Sequence, residues 1–262
     1  MLGPRWAQLA IGDFINRKPR FYHDLFLPHP QQIYGVGRKR VEWFAVRSAE
    51  PQTGFSWPEN HAGLVVFEGE KDFFERLHGW EAFVMRELCA ITRKKWLDRA
   101  TEVGPIPIGL HVRRGDFSEA NSPSDFVYRG AVRTPVQWFA QSLEQVRRAL
   151  GYCAPAVVFS DGNPSELRGL MRLKETRLVQ TGSAIGDLLA LSRSQVLLAS
   201  GGSTFSAWAS FFGKMPTIAV PGQSLTWYKL RSTDTHFQGP FEPDAPSDLF
   251  LRQVSELKQK SL

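Results

Sequence analysis

The stretch Ile108-Gly-Leu-His-Val-Arg-Arg-Gly-Asp-Phe117 decides how the rest of this chain is read. It completes an apolar run from Ile106 to Val112 that breaks abruptly into Arg113, Arg114, Gly115 and Asp116. The pattern predicts a buried strand whose carboxyl end delivers two guanidiniums and a carboxylate into a loop. In open α/β sheets, ligands bind outside the carboxyl ends of the strands. Arginine there offers a rigid, permanently charged fork suited to phosphate. The competing reading is a surface salt bridge at a strand end.

Working outward, 262 residues suffice for two modest domains or one large one. Hydrophobic content of 42% and charged content of 22% fit a globular chain and argue against disorder. A net charge of +6 favours an anionic partner: nucleotide phosphate, nucleic acid or a membrane surface. Arg38-Lys-Arg40 and Arg93-Lys-Lys95 are short and scattered and no nucleic-acid motif accompanies them, so nucleic acid is not an expected partner. Cys89 and Cys153 make neither a disulfide framework nor a metal spacing, and a reducing cytoplasm fits. No apolar run approaches the ~20 residues of a membrane helix. The expectation is a cytoplasmic protein without an integral membrane segment, with peripheral membrane association left open.

Residues 1–105 are crowded with aromatics, among them Trp6, Phe14, Phe21, Tyr22, Tyr34, Trp43, Phe55 and Trp57. Val41–Val46 and Gly63–Phe67 read as strands and Lys71 to about Arg93 as a helix. Gly104-Pro105 and Pro107 mark a boundary. From Ile106 onward strand and helix alternate. A polar loop runs from Ser118 to Arg133. Thr134-Pro-Val-Gln137 has the form of a capped helix start, and Gly151 stops that helix. Strands are expected at Ala156–Ser160, Arg177–Gln180, Gln195–Ala199 and Thr217–Val220, and helices open at Asn163, Ser183 and Thr204. A last helix is expected near Ser247–Lys260. This alternation predicts a doubly wound, mostly parallel sheet of about five strands.

The expected sheet brings three strand ends to one edge: His111, Arg113, Arg114 and Asp116 from the first, Asp161 from the second, and Ser200-Gly-Gly-Ser-Thr-Phe-Ser206 from the fourth. A Gly-Gly turn entering a helix exposes N–H groups at the positive end of the helix dipole, and with the Ser203, Thr204 and Ser206 hydroxyls it forms a phosphate cradle. Taken alone, Ser203 is a simple N-cap; with Arg113 it becomes one side of a diphosphate clamp. Asp187 either braces its own helix or accepts hydrogen bonds from a base such as guanine. His111 serves polar contacts or packing. Metal binding is not expected, because Asp116 and Asp161 stand alone without a second ligand at metal spacing.

Four ordered motifs carry a resemblance: His111-Val-Arg-Arg-Gly-Asp-Phe117, Phe159-Ser-Asp161, Asp187-Leu-Leu-Ala-Leu-Ser192 and Ser203-Thr-Phe-Ser206 with Trp208. Together they resemble the α1,2-fucosyltransferase family, related to the α1,6- and protein O-fucosyltransferases. The resemblance covers about residues 106–221. It implies a GT-B-like α/β fold with domains at 1–105 (acceptor side, shortened), 106–221 (a Rossmann-type parallel sheet for the GDP-sugar) and 222–262 (a tail with a helix packing back). It also implies GDP-fucose as donor, a glycan acceptor of galactoside type, α1,2 linkage, inversion at the anomeric carbon, and no metal or other cofactor. By the same resemblance Arg113 binds the β-phosphate and stabilises the leaving GDP, Asp187 reads guanine, and Thr204 and Ser206 lie near the phosphates. Asp116 and Asp161 hold the Arg113–Arg114 pair and the nucleotide, and His111, Ser203 and Phe205 belong to the same donor site.

An inverting transfer also wants a carboxylate to take the acceptor proton, and Glu119 is the nearest in sequence. Two departures stand out. The family's Gly-rich G-x-G-N-Q segment has no counterpart near Met1-Leu-Gly-Pro-Arg-Trp6, and Gly162 stands where relatives often have a second acidic residue. The alternatives are a nucleotide-sugar-binding protein that does not turn over, or a transferase using another nucleotide sugar.

Overall fold

The structure is a computed structural model that describes residues 24–28, 32–33, 35–49, 63–66, 73–223, 225–230, 233 and 236–260. Most of the aromatic positions expected to crowd the amino-terminal region, from Trp6 to Tyr22 and at Tyr34, Phe55 and Trp57, lie outside them, as does the Gly-rich segment's expected place. The chain forms two compact units: Met1–Lys71 with Ala90–Arg93, and Asp72–Cys89 with Lys94–Leu262.

In the first unit, helix α1 spans Gly35–Phe44. Strands β1 (Val46–Ala49) and β2 (Gly63–Val66) pair in parallel, Val46 opposite Gly63. The strand expected at Val41–Val46 is therefore mostly helix. A short apolar run does not distinguish the two by itself, and here Arg38 Nε donates to Glu42 Oε1 at 2.9 Å, a one-turn pair that only a helix permits.

The second unit holds the core. The single helix expected from Lys71 to Arg93 is broken: a 3₁₀ turn covers Glu75–Leu77, Gly79 takes a left-handed φ of 86°, and α2 runs from Glu81 to Ile91. Helix α3 (Lys94–Glu102) leads into β3, Ile106–Val112, the expected buried strand. The remaining strands are β4 (Ala156–Ser160), β5 (Thr176–Leu178), β6 (Ser194–Ala199), β7 (Thr217–Ala219) and β8 (Gln238–Pro240). They form one six-stranded sheet in the order β5-β4-β3-β6-β7-β8 with every pairing parallel. The α/β class and the Rossmann-type parallel sheet are as expected. The sixth strand was not: Gln-Gly-Pro carries no apolar alternation, and its proline is tolerated because β8 is an edge.

The helices following β3 are α4 (Asp125–Tyr128), α5 (Val136–Leu150), α6 (Arg168–Met171), α7 (Ala184–Leu191), α8 (Thr204–Gly213) and α9 (Asp248–Lys260). Ile108, Leu110 and Val112 of β3 are fully buried in one cluster with Phe139, Leu143 and Val146 of α5 and Phe250 and Val254 of α9. Alternate residues of β3 point to the other face, where α7 and α8 pack. Thr134 is not the N-cap of α5; Pro135 occupies that position, and the buried Thr134 hydroxyl donates to Gln223 Oε1 at 2.6 Å. A tertiary partner displaced the local cap. Gly151 ends α5 as expected, in the left-handed region. Lys214, with φ 50°, is the residue that ends α8. No helix among the described residues is long and apolar enough to cross a membrane.

Candidate functional site

Because all six strands are parallel, the segments that follow them emerge at one edge of the sheet. That edge receives Arg113–Phe117 after β3, Asp161 after β4, the Thr181–Asp187 turn after β5 and Ser200–Ser206 after β6. Every residue predicted for the site follows one of these strands or lies in β3 itself.

Side chains bonded to neighbouring backbones fix the exit of β3. The Arg113 N–H donates to Ser200 Oγ at 2.9 Å and the Arg114 N–H to Asp161 Oδ1 at 2.7 Å. Asp161 turns its other oxygen to the Arg113 guanidinium, Nη1 to Oδ2 2.7 Å. Asp116 takes the opposite side, accepting from Arg113 Nε (3.1 Å) and Nη2 (2.7 Å). Arg113 is thus clamped between two carboxylates while 27% of its side chain faces solvent. Gly115 permits this approach, since a Cβ there would lie 2.4 Å from Asp161 Oδ2.

Arg114 is buried instead. Its Nε has no partner, and its Nη1 lies 3.9 Å from Glu119 Oε1. Burial lowers its pKa from the ordinary guanidinium value, opposed by Glu119 and Glu166. Arg133 closes the group: its Nε donates to the carbonyls of Arg114 (3.2 Å) and Phe117 (2.8 Å), and its Nη1 to Glu119 (3.0 Å) and Glu166 (3.1 Å). Arg133 escaped the sequence reading. Glu166 belongs to the expected helix opening at Asn163 and does accept the Asn163 N–H at 2.8 Å, although the helix itself begins only at Arg168. Glu119 is 70% exposed.

On the β6 side, Ser200 Oγ donates to the His111 carbonyl at 2.9 Å, tying the two strand ends together. The His111 ring stacks on Phe205 at 4.6 Å, and its Nδ1 meets Ser206 Oγ at 2.7 Å. Burial, with Arg113 adding to it, pushes the His111 pKa down to about 3 against the weaker pull of Asp161, so the ring is neutral. His111, Phe205 and Ser206 therefore pin the first turn of α8 to β3. Ser206 is fully buried and Ser203 nearly so, while Thr204 is exposed. Ser203 occupies the N-cap position without a side-chain cap bond. The turn before it is packed against backbone: a Cβ at Gly202 (φ 70°) would lie 1.9 Å from the Gly130 carbonyl, and Tyr228 Oη donates to the Gly202 carbonyl at 2.6 Å.

Asp187 sits in the first turn of α7, whose cap is Ser183, accepting from the Gly186 N–H at 3.0 Å. Its Oδ1 accepts the Thr181 N–H at 2.7 Å. Burial raises its pKa, with the Thr181 bonds opposing. Among the described residues no group of three His, Cys, Asp or Glu side chains is arranged to hold a metal ion.

What this edge offers is a fixed guanidinium, a second buried one with unused donor capacity, and a helix start within one strand spacing. Such a set accepts an oxyanion. The sequence model of glycosyl transferase family 11 matches residues 54–234. The chain belongs to glycosyl transferase family 11. This is the family that the four motifs led one to expect.

Three solved structures are similar to this family 11 chain at low identity. NodZ α-1,6-fucosyltransferase soaked with GDP-fucose is 16% identical over 76% of this chain and 78% of that one, with a TM-score of 0.44. POFUT1 in complex with GDP-fucose is 15% identical over 49% of this chain and 46% of that one, with a TM-score of 0.33. POFUT1 in complex with GDP is 16% identical over the same shares, also with a TM-score of 0.33. The chain thus spans about half the length of the POFUT1 chains it matches. No curated protein matches its sequence.

Proposed function

We propose that this protein transfers fucose from GDP-fucose to a glycan hydroxyl, with inversion, and that its acceptor is a galactoside joined through an α1,2 linkage. The observation that carries the reading is Arg113: a permanently charged fork, held by Asp116 and Asp161 at the carboxyl end of the central strand, beside the Thr204 helix start. Breaking a glycosyl–diphosphate bond builds negative charge on the departing phosphate, and preorganised donors stabilise that charge as it develops. In this reading Arg113 meets the β-phosphate, Arg114 and the start of α8 lower the potential around the diphosphate, and Asp187 accepts from the N1–H and amino group of guanine. Glu119 takes the proton of the attacking hydroxyl. Its contacts to Arg133 and Arg114 run through Oε1, and its exposure suits a group that must meet an incoming acceptor. Family membership and the GDP-fucose named for NodZ and POFUT1 support the donor assignment.

The test is transfer from GDP-fucose to lactose followed by mass spectrometry, with the linkage and anomeric configuration of the product read by NMR. Arg113→Ala should lower transfer roughly 100- to 1,000-fold, and undiminished transfer in that variant would overturn the reading. Glu119→Gln should lower kcat while leaving GDP affinity unchanged. GDP should raise the melting temperature more than UDP or ADP does.

A further inference from the structure

At the opposite edge of the sheet lies a cavity of about 550 Å³, within the ~300–1,000 Å³ usual for small-molecule sites. Lys214 precedes β7 and His236 precedes β8, which places the cavity at the amino ends of the strands, away from Arg113. Phe211 and Leu230 give it an apolar side, and Glu81, Thr233, His236 and Gln238 a polar one. We propose that this cavity is a second, non-catalytic site that binds a neutral saccharide.

Three observations choose that ligand. The first is charge. Glu81 pairs with Lys214 (3.0 Å) and Glu75 with Lys229 (2.7 Å), so both carboxylates at the cavity are already neutralised. The ring of His236 is neutral as well, its pKa pushed down by burial to about 4. Neither a nucleotide nor a cation would find an uncompensated charge here. The second is the density of hydrogen-bonding groups. Carboxylates that are held in place retain lone pairs for vicinal hydroxyls, and Glu81 is held by Lys214 and by the Gly79 N–H at 3.0 Å. The third is the apolar wall: Phe211 and Leu230 line the same cavity as these polar groups and offer the apolar surface that the C–H face of a pyranose needs. The wall is tied together across the sequence, with His78 Nε2 contacting the Lys229 carbonyl at 2.9 Å.

The site does not rest on the donor reading, and its test is separable from it. Lactose is titrated into the full chain while the ring C–H signals of His236, which lines the cavity, are followed by NMR, assigned by their loss in His236→Gln. The expected result is a saturating shift with the same midpoint in the absence of GDP, in saturating GDP and in Arg113→Ala. Thr233→Trp, which fills the cavity from an exposed position, should weaken it at least tenfold. Maltose in place of lactose reports sugar selectivity, and any saturating response to either supports the site. No response to either sugar, a response abolished by GDP or by Arg113→Ala, or one untouched by Thr233→Trp would overturn the proposal. So would displacement of lactose from the cavity by GDP or inorganic phosphate. A failed GDP thermal shift would instead sink the donor reading and leave this result standing.

Discussion

The two edges of the parallel sheet are built from the same kinds of residue and do opposite things with them. At the carboxyl edge three arginines, Arg113, Arg114 and Arg133, share four carboxylates, and Arg114 Nε still lacks a partner. At the amino edge two lysines and two glutamates pair off one to one around an open cavity. Backbone direction explains part of this. Helices enter the carboxyl edge with their positive ends and leave toward the amino edge with their negative ends. Lys214 at the end of α8 answers that negative end, whereas at the start of α8 Thr204 is exposed and the exit of β3 with Arg113 lies on the neighbouring strand. One edge is therefore a site for charge, the other a site for hydroxyl groups. If the contrast holds, a change at one edge leaves the other intact.

The largest effect belongs to Gly202→Ala. The position needs φ 70°, and its Cβ would stand 1.9 Å from the Gly130 carbonyl, so the α8 turn or the 117–133 loop must move. Steric overlap and left-handed strain together should cost about 3 kcal/mol, read as a fall in the urea midpoint. In folded variant, GDP binding should fail while the lactose response at His236 persists. Equal damage to both would break the contrast, because it would mean that the turn supports the whole sheet and not one edge.

A smaller effect, on the pH profile, separates the edges by their buried histidines. His111 at the carboxyl edge has its pKa pushed to about 3 and His236 at the amino edge to about 4. Both lie below the usual 6.5, so the folded state keeps these rings neutral while the unfolded chain takes up protons. Their contribution is intact above pH 6.5 and is lost as pH falls toward 4 for His236 and toward 3 for His111. Each adds a slope of at most about 1.4 kcal/mol per pH unit. Urea midpoints measured from pH 7 to 4 should flatten in His111→Gln and in His236→Gln, more for the former at the acid end. Parallel profiles for wild type and both variants would contradict the burial of neutral rings.

How far each edge could be read from sequence follows from how it is assembled. At the carboxyl edge every group comes directly after a strand, so finding β3, β4 and β6 by their apolar runs also finds Arg113, Asp161 and Ser200. What stayed hidden there were groups whose partners are remote: Arg133, which reaches two carbonyls and two carboxylates, and Thr134, whose cap pattern yielded to Gln223. The role of Ser206 was likewise invisible, since a hydroxyl near a helix start looks the same whether it faces a phosphate or a buried imidazole, whereas His111 takes the packing role its place in the strand allowed. The amino edge was not legible at all. Its groups come from residues 75–81, 211–214 and 230–238, none of which follows a strand on that side, and the strand that closes it, β8, is a polar tripeptide. Helix α1 was misread for a different reason. Its Val41-Glu-Trp-Phe segment suits either period, and the Arg38–Glu42 pair decided the matter.

The smallest effect tests whether Asp187 belongs with the charged edge at all. Among the described residues its carboxylate meets the Thr181 N–H at 2.7 Å and the Thr181 side chain and no cation, and burial raises its pKa. A raised carboxylate is the reverse of the histidines: its contribution is full below the unfolded value and declines as pH rises through the folded one. At neutral pH the charge is a burden on the fold that Asp187→Asn removes, while the amide oxygen can still accept from Thr181. Stability should therefore hold or rise by up to about 1 kcal/mol. A carboxylate that reads guanine cannot be replaced so easily, because the amide turns a donor toward the N1–H and amino group. The preference for GDP over ADP should fall about tenfold. A stability loss with the preference unchanged would make Asp187 a brace for the Thr181 turn, and the base would then have to be read elsewhere on the edge.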